Sequence, residues 1–171
     1  MTGMSNLLAP KPRERTIRWD DPQALAAAAR SMSGREFLEA ILRDDLPLPP
    51  ICRLIDFRFD RVEEGRVEMV LTPNESHYNP IGSVHGGIIA TALDSVTGCA
   101  VHTMLPAGTG YTTLDLSVAY LRGITIETGP LRVTGRALQT GRRAAFAEAD
   151  ITDANGRTLA TATSTLLVME R

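Results

Sequence analysis

The chain has 171 residues, 22% of them charged, and a formal net charge of −2. This length suits one domain with a substantial hydrophobic core and leaves little room for a second. The charge balance lacks the basic surface that nucleic acids or anionic membranes attract, so neither partner is expected. The sequence shows no secretory signal or apolar membrane span, and its only cysteines are Cys52 and Cys99. We therefore expect a cytoplasmic protein without a disulfide framework.

The first 45 residues are expected to lie outside the main domain. Residues 1–20 mix prolines with charges, which is typical of a flexible N-terminal arm. Residues 21–45 predict a helical segment, because Asp21-Pro22 can open one helix and Ser33 to Glu36 has the spacing of a capping box before another. A Leu/Pro-rich connector then begins the main domain, which we expect to occupy residues 46–171.

The main domain shows strand patterns on both sides of one apolar helix. Strands are predicted at 51–59 and 66–71, then a helix buried on all sides over 86–101, then strands at 113–120, 131–138, 144–151 and 158–168. Strict alternation in the third strand would turn Leu114 to the same face as Leu116, Val118 and Tyr120, and Thr113 to the other face. Asn155-Gly156 is a strong hairpin signal between the last two strands. This order predicts an antiparallel sheet with a single helix across one face, an α+β domain.

The loop before the helix carries the first candidate site residues. Gly86 and Gly87 place backbone N–H groups at the positive end of the helix dipole, an arrangement that favours an anion or a developing oxyanion. The glycines could equally serve only to allow tight entry into a packed helix. Asn79 could offer its amide to the same oxygen, or it could cap a turn.

Asp94 is the only charge in the predicted helix. Burial of a carboxylate is costly unless the group is paired or used, so Asp94 is either held by Ser, Thr or backbone donors or takes part in chemistry. At the rise of an α-helix it lies about 12 Å from Gly86. If both groups act on one substrate, a second chain has to bring its helix start to this carboxylate.

The remaining polar candidates are histidines and arginines. His85 is too far along the chain from Asp94 to be oriented by it as a base, and closure of the loop by a side-chain hydrogen bond is the favoured interpretation. His77 and His102 lack metal-ligand spacing, so no metal is expected. Three arginines near strand ends could hold phosphates or stay solvated: Arg122, Arg142 and Arg143.

Three motifs together resemble a known family. They are Asn79-Pro80-x-Gly82-x-x-His85-Gly86-Gly87 followed by Asp94, then Gly110 to Asp115, then Tyr120-Leu121-Arg122. The combination resembles the hotdog-fold acyl-CoA thioesterases of the PaaI-like, phenylacetate-pathway type. The resemblance implies a hotdog fold with five or six antiparallel strands wrapped around one long central helix. It also implies a homodimer, often a dimer of dimers, an acyl-CoA substrate, and no cofactor apart from the coenzyme A of the substrate.

The same resemblance assigns roles to individual residues. The Gly86 N–H would polarise the thioester carbonyl, Asn79 would help to position it or a water, and Asp94 of the other subunit would be the base or nucleophile. Thr113 would assist the carboxylate, with Thr112 as the neighbouring candidate for this role. Further residues are expected beside the substrate: His85, Gly87 and Thr112, with Arg122, Arg142 and Arg143 as candidates for the coenzyme A phosphates. The alternatives are a non-catalytic acyl-CoA-binding hotdog protein and a hydratase, which would need an Asp–His pair within reach.

Overall fold

The computed structural model describes residues 12–170. Three helices come first, α1 (Pro22–Ser31), α2 (Gly34–Leu42) and α3 (Pro50–Ile55), followed by strands β1 (Phe57–Glu63) and β2 (Arg66–Leu71). The long helix α4 (Gly86–His102) precedes β3 (Thr109–Tyr120), β4 (Leu131–Thr140), β5 (Ala144–Thr152) and β6 (Thr158–Glu170). Single 3-10 turns lie at Glu75–His77 and Ile126–Thr128.

The six strands form one antiparallel sheet in the order β1-β2-β4-β5-β6-β3. Helix α4 crosses one face of this sheet, and its apolar side packs into the main core with residues such as Leu93 and Val96, which are fully buried. The predicted α+β hotdog architecture is thereby confirmed. No helix in residues 12–170 is long and apolar enough to cross a membrane.

Small residues let α4 approach the sheet closely. Ala145, Ala147 and Ala149 of β5 are buried beneath the helix and its neighbours. At Gly135 of β4, an added Cβ would overlap the backbone carbonyl of Val96 in α4. The sheet therefore has room for the helix backbone only where a side chain is missing or small.

We expect Gly135→Ala to lower the free energy of unfolding by about 1–3 kcal/mol, because the helix backbone has to move to admit the methyl group. Urea denaturation of the variant and the wild type measures this difference. Gly123→Ala is the matched control, since no atom lies within 4 Å of a Cβ there. Equal stability of the two variants would contradict this account of the packing.

The prediction of a strand over residues 51–59 is wrong in its first half. Pro50 occupies the first turn of α3, where its fixed φ suits a helix, and Cys52 and Ile55 are buried at helical spacing. Asp56 ends the helix in the left-handed region at φ 55°. The strand β1 then begins at Phe57.

The predicted alternation along β3 is also wrong at one point. A β-bulge interrupts the pairing with β6 between Thr113 and Asp115, so that Leu114 has no direct partner. Leu114 is 60% exposed, whereas Thr113 is partly buried. The bulge shifts the phase of the strand and turns Thr113 towards α4, on the side of Leu116 and Val118.

The sequence pattern predicted that helix α4 is buried on all sides. In the single chain this prediction is wrong. One stripe is partly exposed, and it includes Thr91, Asp94 and Ser95, while the opposite side is fully buried. The exposed stripe faces the side of the molecule where β3 forms the sheet edge. An apolar helix with one accessible stripe is thus available for contact with another molecule.

The N-terminal region contains the two expected helices within residues 21–45. The predicted capping box is present, because Ser33 accepts from the Glu36 N–H and the Glu36 carboxylate accepts from the Ser33 N–H. Residues 1–11 of the predicted flexible arm lie outside the described residues. Residues 12–20 form no helix or strand, but Arg15 donates to Ser76 at 3.0 Å and so ties this part of the arm to the main domain.

Candidate active site

The loop before α4 leaves one backbone donor available at the helix start. His85 is the N-cap, and its Nδ1 accepts from the Gly87 N–H at 2.9 Å, which confirms the predicted loop-closing hydrogen bond. The Ile88 N–H donates to the His85 carbonyl at 3.0 Å. Within residues 12–170, the Gly86 N–H has no acceptor. The helix dipole therefore acts together with a single free N–H at Gly86.

Asn79 organises the loop that leads to this helix. Its Oδ1 accepts from the backbone N–H groups of Ile81 and Ser83, at 3.0 and 3.2 Å. Its Nδ2 donates to Ser83 Oγ at 2.9 Å, which leaves one amide hydrogen for another acceptor. In the single chain, Asn79 therefore caps the turn. Its contact with a substrate stays a prediction.

Tyr120 fixes the position of the helix start and was not among the predicted site residues. Its hydroxyl donates to the Gly86 carbonyl at 3.0 Å, and its ring lies 3.3 Å from the place of a Cβ on Gly86. The sequence signal for this role is the period-two spacing of β3, which puts Tyr120 on the same, helix-facing side as Val118. We call Gly86, His85 and Tyr120 the donor half-site.

Asp94 and Thr113 form a second group, which we call the carboxylate half-site. The Thr113 hydroxyl donates to Asp94 Oδ1 at 2.8 Å. Thr113 is the only donor to this carboxylate among the described residues, and none of their cationic groups pairs with it. Asp94 is partly exposed in the single chain, and its Oδ2 accepts no hydrogen bond from the described residues.

The two half-sites of one chain are separate. Gly86 and Asp94 lie on the same uninterrupted helix, eight positions apart and therefore about 12 Å apart along its axis. Gly86 contacts Tyr120, the last residue of β3, whereas Asp94 contacts Thr113, seven positions earlier in the same edge strand. A single thioester carbonyl cannot contact both groups of one chain.

The predicted phosphate-binding arginines lie near opposite ends of β3. Arg122 follows Tyr120 and donates to the Thr158 carbonyl at 2.8 Å, at the end of the donor half-site. Arg142 and Arg143 lie in the exposed turn between β4 and β5, at the other end. Through the pairing of Val168 with Tyr111, that turn lies two strand spacings, about 10 Å, from the start of β3.

His77, Cys52 and Cys99 lie outside the two half-sites, and burial shifts the pKa of each. His77 is 3% exposed, and burial lowers its pKa, with nearby Arg15 lowering it further. Burial raises the pKa of Cys52 to about 12 and raises the pKa of Cys99 as well, so both thiols stay protonated. Residues 12–170 contain no group of three or more His, Cys, Asp or Glu that could hold a metal ion, and metal-free chemistry stays a prediction.

Comparison with known proteins relates part of this chain to thioesterases. Residues 81–160, which include α4 and both half-sites, match the model of the thioesterase superfamily. The chain carries a thioesterase-superfamily domain. Human acyl-coenzyme A thioesterase 13 is 28% identical to it over 97 residues, which are 56% of this chain and 68% of the human protein.

Solved structures of other proteins share the fold. A phenylacetic acid degradation-related protein of Ralstonia eutropha JMP134 has a TM-score of 0.69 and 28% identity, over 76% of this chain and 98% of that protein. A protein of Streptococcus mutans UA159, solved bound to acetyl-CoA, has a TM-score of 0.62 and 27% identity, over 67% and 90% of the two chains. The predicted enzyme class, a thioester hydrolase, is confirmed by the thioesterase domain and the thioesterase relatives.

Proposed function

We propose that this protein is an acyl-CoA thioesterase whose active site is shared between two chains. The observation that carries the proposal is the Asp94 carboxylate, oriented by Thr113 and without a cationic partner in the described residues, within a thioesterase-superfamily domain. The Streptococcus mutans relative that binds acetyl-CoA supports coenzyme A as the thiol part of the substrate.

The edge strand β3 supplies the means of sharing the site. Among residues 12–170 it pairs with β6 and with no other strand, so its outer edge is exposed to pairing with a strand of another chain. Two copies of β3 paired antiparallel about a two-fold axis would bring the Tyr120 end of one strand beside the Thr113 end of the other. The donor half-site of one chain would then face the carboxylate half-site of its partner, and a dimer would contain two complete sites.

In such a site the thioester carbonyl oxygen accepts from the Gly86 N–H of one chain. Asp94 of the other chain takes a proton from a water through Oδ2, while Thr113 holds Oδ1. The water oxygen bonds to the carbonyl carbon, the carbon–sulfur bond breaks, and the thiolate of coenzyme A leaves with the bonding electron pair. The proton on Asp94 then passes to that thiolate. Direct attack by Asp94, followed by hydrolysis of the resulting anhydride, uses the same groups and gives the same products.

A thiol-release assay tests the proposed function. We expect free coenzyme A to appear when the purified protein meets acetyl-, butyryl-, hexanoyl-, octanoyl- or phenylacetyl-CoA, at a rate proportional to protein concentration. Calorimetric titration with the same compounds is the companion measurement. Tight binding of an acyl-CoA without thiol release would favour the alternative, a non-catalytic acyl-CoA-binding hotdog protein.

A further inference from the structure

Residues that precede the superfamily match help to enclose a cavity beside the carboxylate half-site. The cavity has a volume of about 400 Å³, which falls within the usual range for small-molecule sites. Its walls come from α1, α2, α4, β1 and the start of β3, together with Pro49. The lining residues from the N-terminal helices are Ala29, Phe37, Leu38 and Ile41. We call this cavity the α2 pocket.

Helix α2, which covers the α2 pocket, is fixed by its contacts with α4. The Gly34 N–H donates to the Leu105 carbonyl at 3.1 Å, and a Cβ on Gly34 would overlap the His102 carbonyl, so α2 lies directly on the end of α4. The Phe37 ring lies 5.7 Å from the His102 ring, which lies 5.3 Å from the Tyr111 ring. These contacts give the pocket a preformed wall of three rings, which lowers the ordering cost of binding.

The pocket combines an apolar wall with a polar one, and the polar wall touches the proposed reaction centre. The apolar wall consists of the buried hydrophobic side chains Phe37, Leu38, Ile41 and Phe59, and no lining residue is Asp, Glu, Lys or Arg. Thr112 and Thr113 line the pocket on the β3 side, and Thr113 is the residue that donates to Asp94. A group bonded to a carbonyl carbon at Asp94 would therefore have the pocket immediately beside it.

We propose that the α2 pocket receives the acyl group of the thioester, so that the substrates are apolar acyl-CoAs with acyl groups larger than acetyl. The inference rests on the proposed function, because it places the scissile carbonyl at Asp94. It gives the N-terminal helices a role in substrate selection, with Phe37 and Ala29 as the residues that set the available depth.

The pocket predicts a regular dependence on chain length. Each methylene group that moves from water onto the apolar wall of the pocket should raise kcat/KM by up to about fourfold. Acetyl-CoA should therefore be a poor substrate, and butyryl-, hexanoyl- and octanoyl-CoA progressively better ones. Phenylacetyl-CoA distinguishes a preference for a flat ring against the ring wall from a preference for a straight chain.

Two alanines of the same helix provide a matched test. Ala29 lines the pocket, whereas Ala27 on α1 is exposed to solvent. Ala29→Phe should reduce kcat/KM for octanoyl-CoA at least tenfold while it changes the value for acetyl-CoA less than twofold. Ala27→Phe should leave both values within twofold of the wild type. An Ala29→Phe variant that is folded by circular dichroism and keeps the wild-type chain-length profile would overturn the assignment of the pocket.

A second pair keeps the test decisive if Ala29→Phe does not fold. Phe37→Leu enlarges the pocket, and Phe57→Leu makes the same change at a buried position that does not line it. The first should move the preferred chain towards decanoyl-CoA, and the second should not. If the wild type releases no thiol from any substrate, the proposed function fails, and the pocket is then judged by affinity. In that case, a Kd for octanoyl-CoA that is tenfold weaker in Ala29→Phe than in the wild type would support the pocket. An unchanged chain length of tightest binding in Phe37→Leu would refute it.

Discussion

Asp94→Asn should lower kcat for acyl-CoA hydrolysis by about 10²- to 10⁴-fold, the usual contribution of a positioned general base. The change keeps the size and shape of the side chain, and the amide oxygen can still accept from Thr113, which now donates to Oδ1 at 2.8 Å. The fold and the affinity for acyl-CoA should therefore persist while proton transfer is lost. Steady-state thiol release measures kcat, and calorimetric titration measures affinity.

Asp60→Asn is the control for this result. Asp60 is an exposed carboxylate on β1, at the opposite edge of the sheet from β3. The control should retain wild-type turnover, which separates the role of the Asp94 carboxylate from the effect of one lost negative charge. Undiminished turnover in Asp94→Asn would remove this carboxylate from the mechanism.

Gly86→Pro should lower kcat by about 10²- to 10³-fold, the typical cost of removing one oxyanion donor. Proline lacks the backbone N–H, and the first position of a helix is where its fixed φ is tolerated. The preceding residue already has the extended backbone that proline requires, since His85 has φ −61° and ψ 135°. The substitution therefore removes the donor while α4 can still begin at the same place.

Gly86→Ala is the matched control for the proline variant. Both substitutions place a Cβ close to the Tyr120 ring, at 3.3 Å, but alanine keeps the N–H. We expect the alanine variant to lose only a small part of the activity that the proline variant loses. Equal losses in the two would show that the added carbon, and not the missing donor, causes the effect.

Much of the fold could be predicted from local patterns. Period-two alternation located the strands, and the Asn155-Gly156 turn located the last hairpin, because these signals depend only on neighbours in sequence. The helix α3 was missed because Pro49-Pro50 was interpreted as the stiff part of a connector, although proline at a first helical turn also starts a helix. A short apolar segment after two prolines is compatible with both structures.

The sequence predicted which residues belong to the site better than it predicted which of them are in contact. Helix rise alone separated Gly86 from Asp94, since it needs only the helix to be continuous. The contact between Thr113 and Asp94 depends on the bulge at Leu114, which no local pattern of this strand signals. The α2 pocket depends on how the N-terminal helices dock on α4, and docking geometry is set by tertiary packing.

The central claim is that each active site combines the donor half-site of one chain with the carboxylate half-site of another. The most direct test mixes Asp94→Asn and Gly86→Pro chains by co-expression or by unfolding and refolding them together. In a mixed dimer, one site then has both intact groups and the other has neither, so random pairing of equal amounts should restore about a quarter of wild-type kcat. A mixture that stays as inactive as its two parents would contradict the shared site.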